Sequence, residues 1–224
     1  RVRYGRYMHK AQPHKNWEIV FEDFRELCFK GGDSAPGLDG WSNKDLALLS
    51  DTAIKLVVNL LNAIEQGAPW PDATRQTRAV FLSKDPNDTA NPLAYRALKI
   101  TSAFYRKWGT YRNRTLNEWV MSWDDQAINS GVPGKGATDA WYQKALEVEL
   151  LRLSGQHVSG GSIDIYKCFD QINRELLKSM AKAAGMPERV AEPYFRFIDQ
   201  LDVRYQIGAN IGSARRDRCA IPQG

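Results

Sequence analysis

The segment Ser162-Ile-Asp-Ile-Tyr-Lys-Cys-Phe-Asp170 holds the residues best placed to do chemistry. The run from Val158 to Ile165 reads as a strand that delivers Asp164 at its end, after which the chain turns at once toward a helix. An acid in that position is exposed and pre-oriented. A carboxylate beside a backbone carbonyl, here that of Ile165, is how a hard cation such as Mg²⁺ is held, with water and substrate phosphate as its other oxygen ligands. One carboxylate is not a site. Asp170, six residues on, is either a second ligand or a cap at the start of a helix.

Charge points the same way. Lys plus Arg exceed Asp plus Glu by 31 − 26 = +5 over 224 residues, with a sequence pI near 9.1, which suits an anionic partner such as nucleic acid. Between Arg75 and Arg114 nine basic residues face two acids, a local 9 − 2 = +7. Arg1, Arg3, Arg6, Lys10 and Lys15, interleaved with Tyr4 and Tyr7, make either a basic arm for a phosphate backbone or a solvated terminus. Cys28, Cys168 and Cys219 lie far apart with no CxxC pair, so neither a zinc ribbon nor a disulfide framework is indicated and a reducing compartment is expected. Gly131-Val-Pro-Gly-Lys-Gly136 lacks the spacing of a Walker loop and reads as a tight turn between helices. The most apolar stretch, Ala53 to Ile64, carries Lys55 and Asn59 and is too short for a membrane span, so a soluble protein is expected. With Arg1 first and Pro222-Gln223-Gly224 last, the chain reads as a fragment.

The elements that must position these residues follow from periodicity. Asn16 is expected to cap a helix bearing Trp17, Val20, Phe21, Phe24, Leu27 and Cys28, which ends at Gly31-Gly32. Asp51 is expected to cap a second, with Ala53, Leu56, Val57, Leu60, Leu61 and Ile64 on one face. Ala79 to Leu82 and Tyr95 to Ile100, separated by Asp85-Pro-Asn-Asp88 and Asn91-Pro92, predict a β-hairpin. Helices are predicted over Ser102 to Trp123, Thr138 to Leu153, Asn173 to Gly185 and Pro187 to Leu201, and a hairpin over Val203 to Ile207 and Gly212 to Ile221. The pattern is α+β, with a helix-rich first half and an antiparallel sheet backed by helices.

Five blocks now fall into a family's order. Asp164-Ile-Tyr-Lys-Cys-Phe-Asp170 resembles motif A of reverse transcriptases, especially those of non-LTR retroelements and group II introns. Ala35-Pro-Gly-Leu-Asp-Gly40 is similar to the block before the fingers. Leu82-Ser-Lys84 with Tyr95-Arg96 resembles the fingers hairpin, Gln126 to Ala140 the Gly-rich block that follows it, and Ala220-Ile-Pro-Gln-Gly224 the start of motif B. Departures are Arg96-Ala97-Leu98 in place of Arg-Pro-Ile, and Asn129-Ser130 where an aromatic often precedes Gly131.

The resemblance implies the fingers and partial palm of a right-handed polymerase: a basic arm at 1–15, helices and fingers at 16–157, and palm at 158–224, without motif C or the thumb. It implies RNA-templated addition of deoxynucleotides to a DNA primer, with Asp164 and Ile165 holding two Mg²⁺ ions (Mn²⁺ being possible) together with acids from motif C. Lys84 and Arg96 would close on the triphosphate, Phe169 would sit under the sugar and exclude a 2′-hydroxyl, and Gln223 would border the nascent base pair. Lys99, Arg106 and Lys107 would contact nucleic acid. The partners expected are RNA template, DNA primer, dNTP and the rest of the same palm and thumb, with no membrane. An intracellular location is expected, nucleus or cytoplasm being open. The alternative is a catalytically inactive, reverse-transcriptase-like RNA-binding domain relying on Arg106, Lys107, Arg112, Tyr105 and Tyr111. An RNA-dependent RNA polymerase is disfavoured by Phe169.

Overall fold

A computed structural model describes residues 17–30, 32–122 and 127–222. The first helix, α1 (Phe21–Phe29), buries Phe24, Leu27 and Cys28. It starts later than its periodicity suggests, after Val20 rather than Asn16, which lies outside the described residues. The reason is a competing set of hydrogen bonds. The Asn62 amide donates to the Ile19 carbonyl and accepts from its N–H, while the Tyr111 hydroxyl accepts from Val20 N–H, and the segment so pinned leaves Trp17 in solvent.

A short helix, α2 (Asn43–Ala47), opens with a reciprocal Ser42/Asp45 capping box. In α3 (Asp51–Glu65) the cap is Ser50, and Asp51 is the first helical residue. Its buried stripe is Ile54, Val58, Leu61 and Ile64, rotated from the expected face so that Leu56 is 66% exposed. Both sets satisfy the helical repeat, so packing against the rest of the core and not periodicity decides which face is buried.

Strands β1 (Gln76–Ser83) and β2 (Tyr95–Ile100) form the expected antiparallel hairpin, with Arg78 opposite Ile100 and Leu82 opposite Arg96. Two helices, α4 (Ala103–Thr115), capped by Ser102, and α5 (Asn117–Ser122), replace the single long helix, with a break at buried Leu116. The next helix, α6 (Ala137–Leu153), has apolar side chains on every side and no buried residue. After it come α7 (Cys168–Gln171), α8 (Arg174–Ala183), capped by Asn173, and α9 (Glu188–Asp199).

Strand β3 (Asp202–Ile207) runs parallel to β1, with Gln76 opposite Asp202, and antiparallel to β4 (Asn210–Ile211), giving the order β2-β1-β3-β4. The sheet is therefore mixed, not antiparallel. Helix α9 sets this direction. Its Phe197 joins Trp70, Tyr105 and Trp108 in one aromatic cluster, and the Pro193 carbonyl accepts from Trp70 Nε1, so the chain leaves α9 alongside the start of β1. The second arm of the last hairpin is only β4 plus a bridge between Val203 and Arg215; the chain then leaves the sheet toward α8.

The strand expected over Val158 to Ile165 is not formed. A strand exists only by hydrogen bonding to a neighbour. None of the four strands pairs with this segment, Ile163 is 95% exposed, and Gly160-Gly161 loosens the backbone further. The core runs through α1, α3, α4, α9, β1 and β3. Among the described residues no helix is long and apolar enough to cross a membrane.

Candidate functional site

The hairpin presents its cations in a defined way. Register pairs Leu82 with Arg96, and Lys84 N–H donates to the Ala94 carbonyl at 2.7 Å, extending the ladder by one pair. Side chains two residues apart share a strand face, so Lys84, Leu82 and Arg96 lie on the same side. Lys84 and Arg96 are diagonal neighbours across the hairpin, a placement that sets residues about 7–8 Å apart. Both are exposed, and neither side chain has a hydrogen-bond or ion-pair partner among the described residues.

Deeper on the same face, Arg78 donates to the Pro36 carbonyl at 3.0 Å. Arg106 donates to the neighbouring Ala35 carbonyl, also at 3.0 Å, and to Ser34 Oγ. Arg78 thus ties the turn at residues 34–40 to the base of the hairpin, and Arg106 ties it to α4. Gly37 makes a close approach, since a Cβ there would lie 2.9 Å from Asp39 Oδ1 and 3.1 Å from the Ser102 backbone, so a larger residue requires the Asp39 side chain and that backbone to shift. Arg106 is half-buried, and burial draws its guanidinium below the ordinary value, opposed by Asp39.

Two of the cations expected to contact nucleic acid are otherwise engaged. Lys107 is 5% exposed and its Nζ donates to the Leu27 carbonyl at 2.8 Å; burial lowers its pKa. It is an interior cation with no face left for a phosphate. Lys99 is paired with Asp217 at 2.6 Å. Arg112 lies in the core against Glu65, and Tyr111 is buried in the same region, while the Tyr105 ring stacks on Phe197. The residues weighed for RNA binding without catalysis are therefore mostly interior, because the apolar stems that carry them complete the face of α4 turned to the core.

Asp164 and Ile165 are exposed in the unpaired stretch. Lys167 turns the chain through a left-handed conformation, φ 48°, into α7. Phe169 is 45% exposed, and its carbonyl accepts from Ile221 N–H at 3.1 Å. Asp170 sits inside the first turn of α7 and does not cap it. It lines a cavity of about 470 Å³ shared with Lys99, Tyr205, Arg215, Asp217 and Arg218. Burial, and after it the Asp217 carboxylate, push the Tyr205 phenol up. Among the described residues no three His, Cys, Asp or Glu side chains gather as a metal site, around Asp164 or elsewhere. Gln223 lies outside the described residues.

Sequence reasoning missed Asp217 and Arg174. The first was signalled by being the lone acid within Arg215-Arg216-Asp217-Arg218. The second, buried at the start of α8 against the 219–220 backbone, left no such sign. No protein-family model matches this chain, and no curated protein matches it.

Proposed function

We propose that this chain is the fingers and first part of the palm of a reverse transcriptase, a polymerase that copies an RNA template by adding deoxynucleotides to a DNA primer. The observation that carries the reading is the placement of Lys84 and Arg96 as diagonal neighbours on one face of a hairpin, exposed and without side-chain partners among the described residues, in a chain that also holds Asp164 and Phe169 in the order this family uses. Nucleotidyl transfer builds negative charge on the α-phosphate and on the departing pyrophosphate, and two unneutralised cations on a stiff hairpin stabilise it. Arg78 fastens the base of that hairpin to the 34–40 turn, which Arg106 of α4 also holds. Phe169, half-exposed on its turn, offers a ring edge against which a 2′-hydroxyl would collide.

Divalent metal, when bound, activates the primer hydroxyl and neutralises the pyrophosphate. Asp164 and the Ile165 carbonyl would hold Mg²⁺ or Mn²⁺ only with further acids from the same polypeptide, so the chemistry assigned to the described residues is gripping the triphosphate and screening the sugar. The RNA-binding alternative is weakened by the burial of Lys107, Arg112 and Tyr111. The test is primer extension on an RNA template by the full-length polypeptide. Asp164→Asn is expected to abolish extension while template affinity is retained; extension persisting in that variant would falsify the assignment.

A further inference from the structure

We infer that Arg174 is the positioning residue that locks the Phe169 turn to the Cys219-Ala-Ile221 segment, so that one buried guanidinium sets the proposed sugar gate. The inference rests on the polymerase reading for the role of Phe169, and on hydrogen-bond geometry for the anchor itself.

Arg174 opens α8 with its side chain 8% exposed. Three of its nitrogens are used on three acceptors: Nε to the Ala220 carbonyl at 2.7 Å, Nη2 to the Cys219 carbonyl at 3.3 Å, and Nη1 to Asp199 Oδ1 at 3.2 Å. Successive carbonyls of an extended chain point to opposite sides. Here they converge because Ala220 is left-handed, φ 76°, a conformation that non-glycine residues rarely adopt. Ala220 is also buried, 5% exposed, so the kink is held from within.

The kinked strap then pairs with the catalytic turn. Ala220 N–H donates to the Ile172 carbonyl at 3.0 Å, and Ile221 N–H to the Phe169 carbonyl at 3.1 Å. Arg174 touches neither Phe169 nor the place of a substrate; it acts through the strap. Backbone strain of this kind, over-determined by a buried side chain and placed beside candidate substrate contacts, marks a site whose geometry is set in advance. A lysine could not substitute, since its ammonium is a single point and cannot fork across two carbonyls and a carboxylate.

The anchor is tested in the 224-residue chain by amide hydrogen exchange. In Arg174→Met and in Arg174→Lys the Ala220 and Ile221 amides are expected to exchange at least tenfold faster, with the sheet amides of Ala79 and Val203 unchanged as the control for folding. Unchanged protection of Ala220 and Ile221 overturns the inference. The role is tested in the full-length enzyme by the ratio of kcat/KM for dNTP over rNTP. Arg174→Lys is expected to lower that ratio at least fivefold at unaltered template affinity, whereas Asp199→Asn, which leaves both carbonyl contacts, is expected to preserve it. A loosened strap with an unchanged ratio overturns the positioning role. A wild-type enzyme that extends no primer overturns the polymerase reading and with it the role at the sugar gate; the exchange result then stands as evidence of the anchor alone, so the two failures are told apart.

Discussion

The Glu65 carboxylate accepts hydrogen bonds from Arg112 where neither side chain meets water, their exposures being 0% and 2%. Trp108 Nε1 and Arg189 Nε, each at 2.8 Å, complete the shell, so one carboxylate joins α3, α4 and α9. Removing one member strands the others in a low dielectric. Glu65→Leu is expected to cost about 3–5 kcal/mol, and the double variant Glu65→Leu/Arg112→Met less than the sum of the two single losses. Urea unfolding measures both; additive losses would show that the pair is not coupled.

Lys84 and Arg96 behave oppositely. Exposed and without side-chain partners among the described residues, they contribute little to the fold, and Lys84→Ala or Arg96→Ala is expected to move stability by under about 0.5 kcal/mol. If they grip the triphosphate, each loses a charge-assisted contact of about 1.5–3 kcal/mol, on the order of a 10- to 150-fold loss in kcat/KM for dNTP in the full-length enzyme. A thermal melt and a steady-state dNTP titration separate the two effects. Unaltered kinetics would remove the hairpin from the site.

How far the sequence foretold this depended on which physics decided each element. The β1–β2 hairpin was legible because apolar runs and turn residues act locally, and Ser102 and Asn173 mark helix starts that exist as local hydrogen bonds. The start of α1 was not, because Asn62, 43 residues from Ile19, captures the backbone that Asn16 would have fed into the helix. Val158 to Ile165 has the composition of a strand and no strand paired with it. Charge misled in the same way. Lys107 and Arg112 look like a basic face until α1 and α3 supply the Leu27 carbonyl and the Glu65 carboxylate that bury them.

Burial pushes the Tyr105 phenol well above its ordinary value of about 10. The unfolded chain therefore loses that proton first as pH rises. The contribution is present in full below about pH 10 and is lost as pH climbs toward the higher folded value. Melting temperatures between pH 8 and 11 are expected to fall on the alkaline side, and Tyr105→Phe, which keeps the ring stacked on Phe197, is expected to flatten that fall. An unchanged slope would place the effect on other groups.

Lys167 holds a left-handed backbone at the turn into α7. Such a conformation costs an L-residue about 1–2 kcal/mol, of which glycine's greater unfolded freedom returns about 0.5–1 kcal/mol. Lys167→Gly is thus expected to raise stability by up to about 1 kcal/mol in chemical denaturation. A clear loss would show that the side chain, which lies over the Tyr166 ring at 5.4 Å, matters more than the strain.

The parallel pairing of β1 with β3 joins Gln76 to Asp202, residues 126 apart. Local hairpins close early, whereas a contact of this span must wait for the intervening chain and carry its loop-closure entropy. At about 5–20 residues per second, the ribosome needs roughly 6–25 s to make the 126 residues between them. Throughout that interval β1 is an edge strand, its unpaired backbone open to any other extended chain. The birth of this protein therefore includes a window of vulnerability that only the arrival of β3 ends.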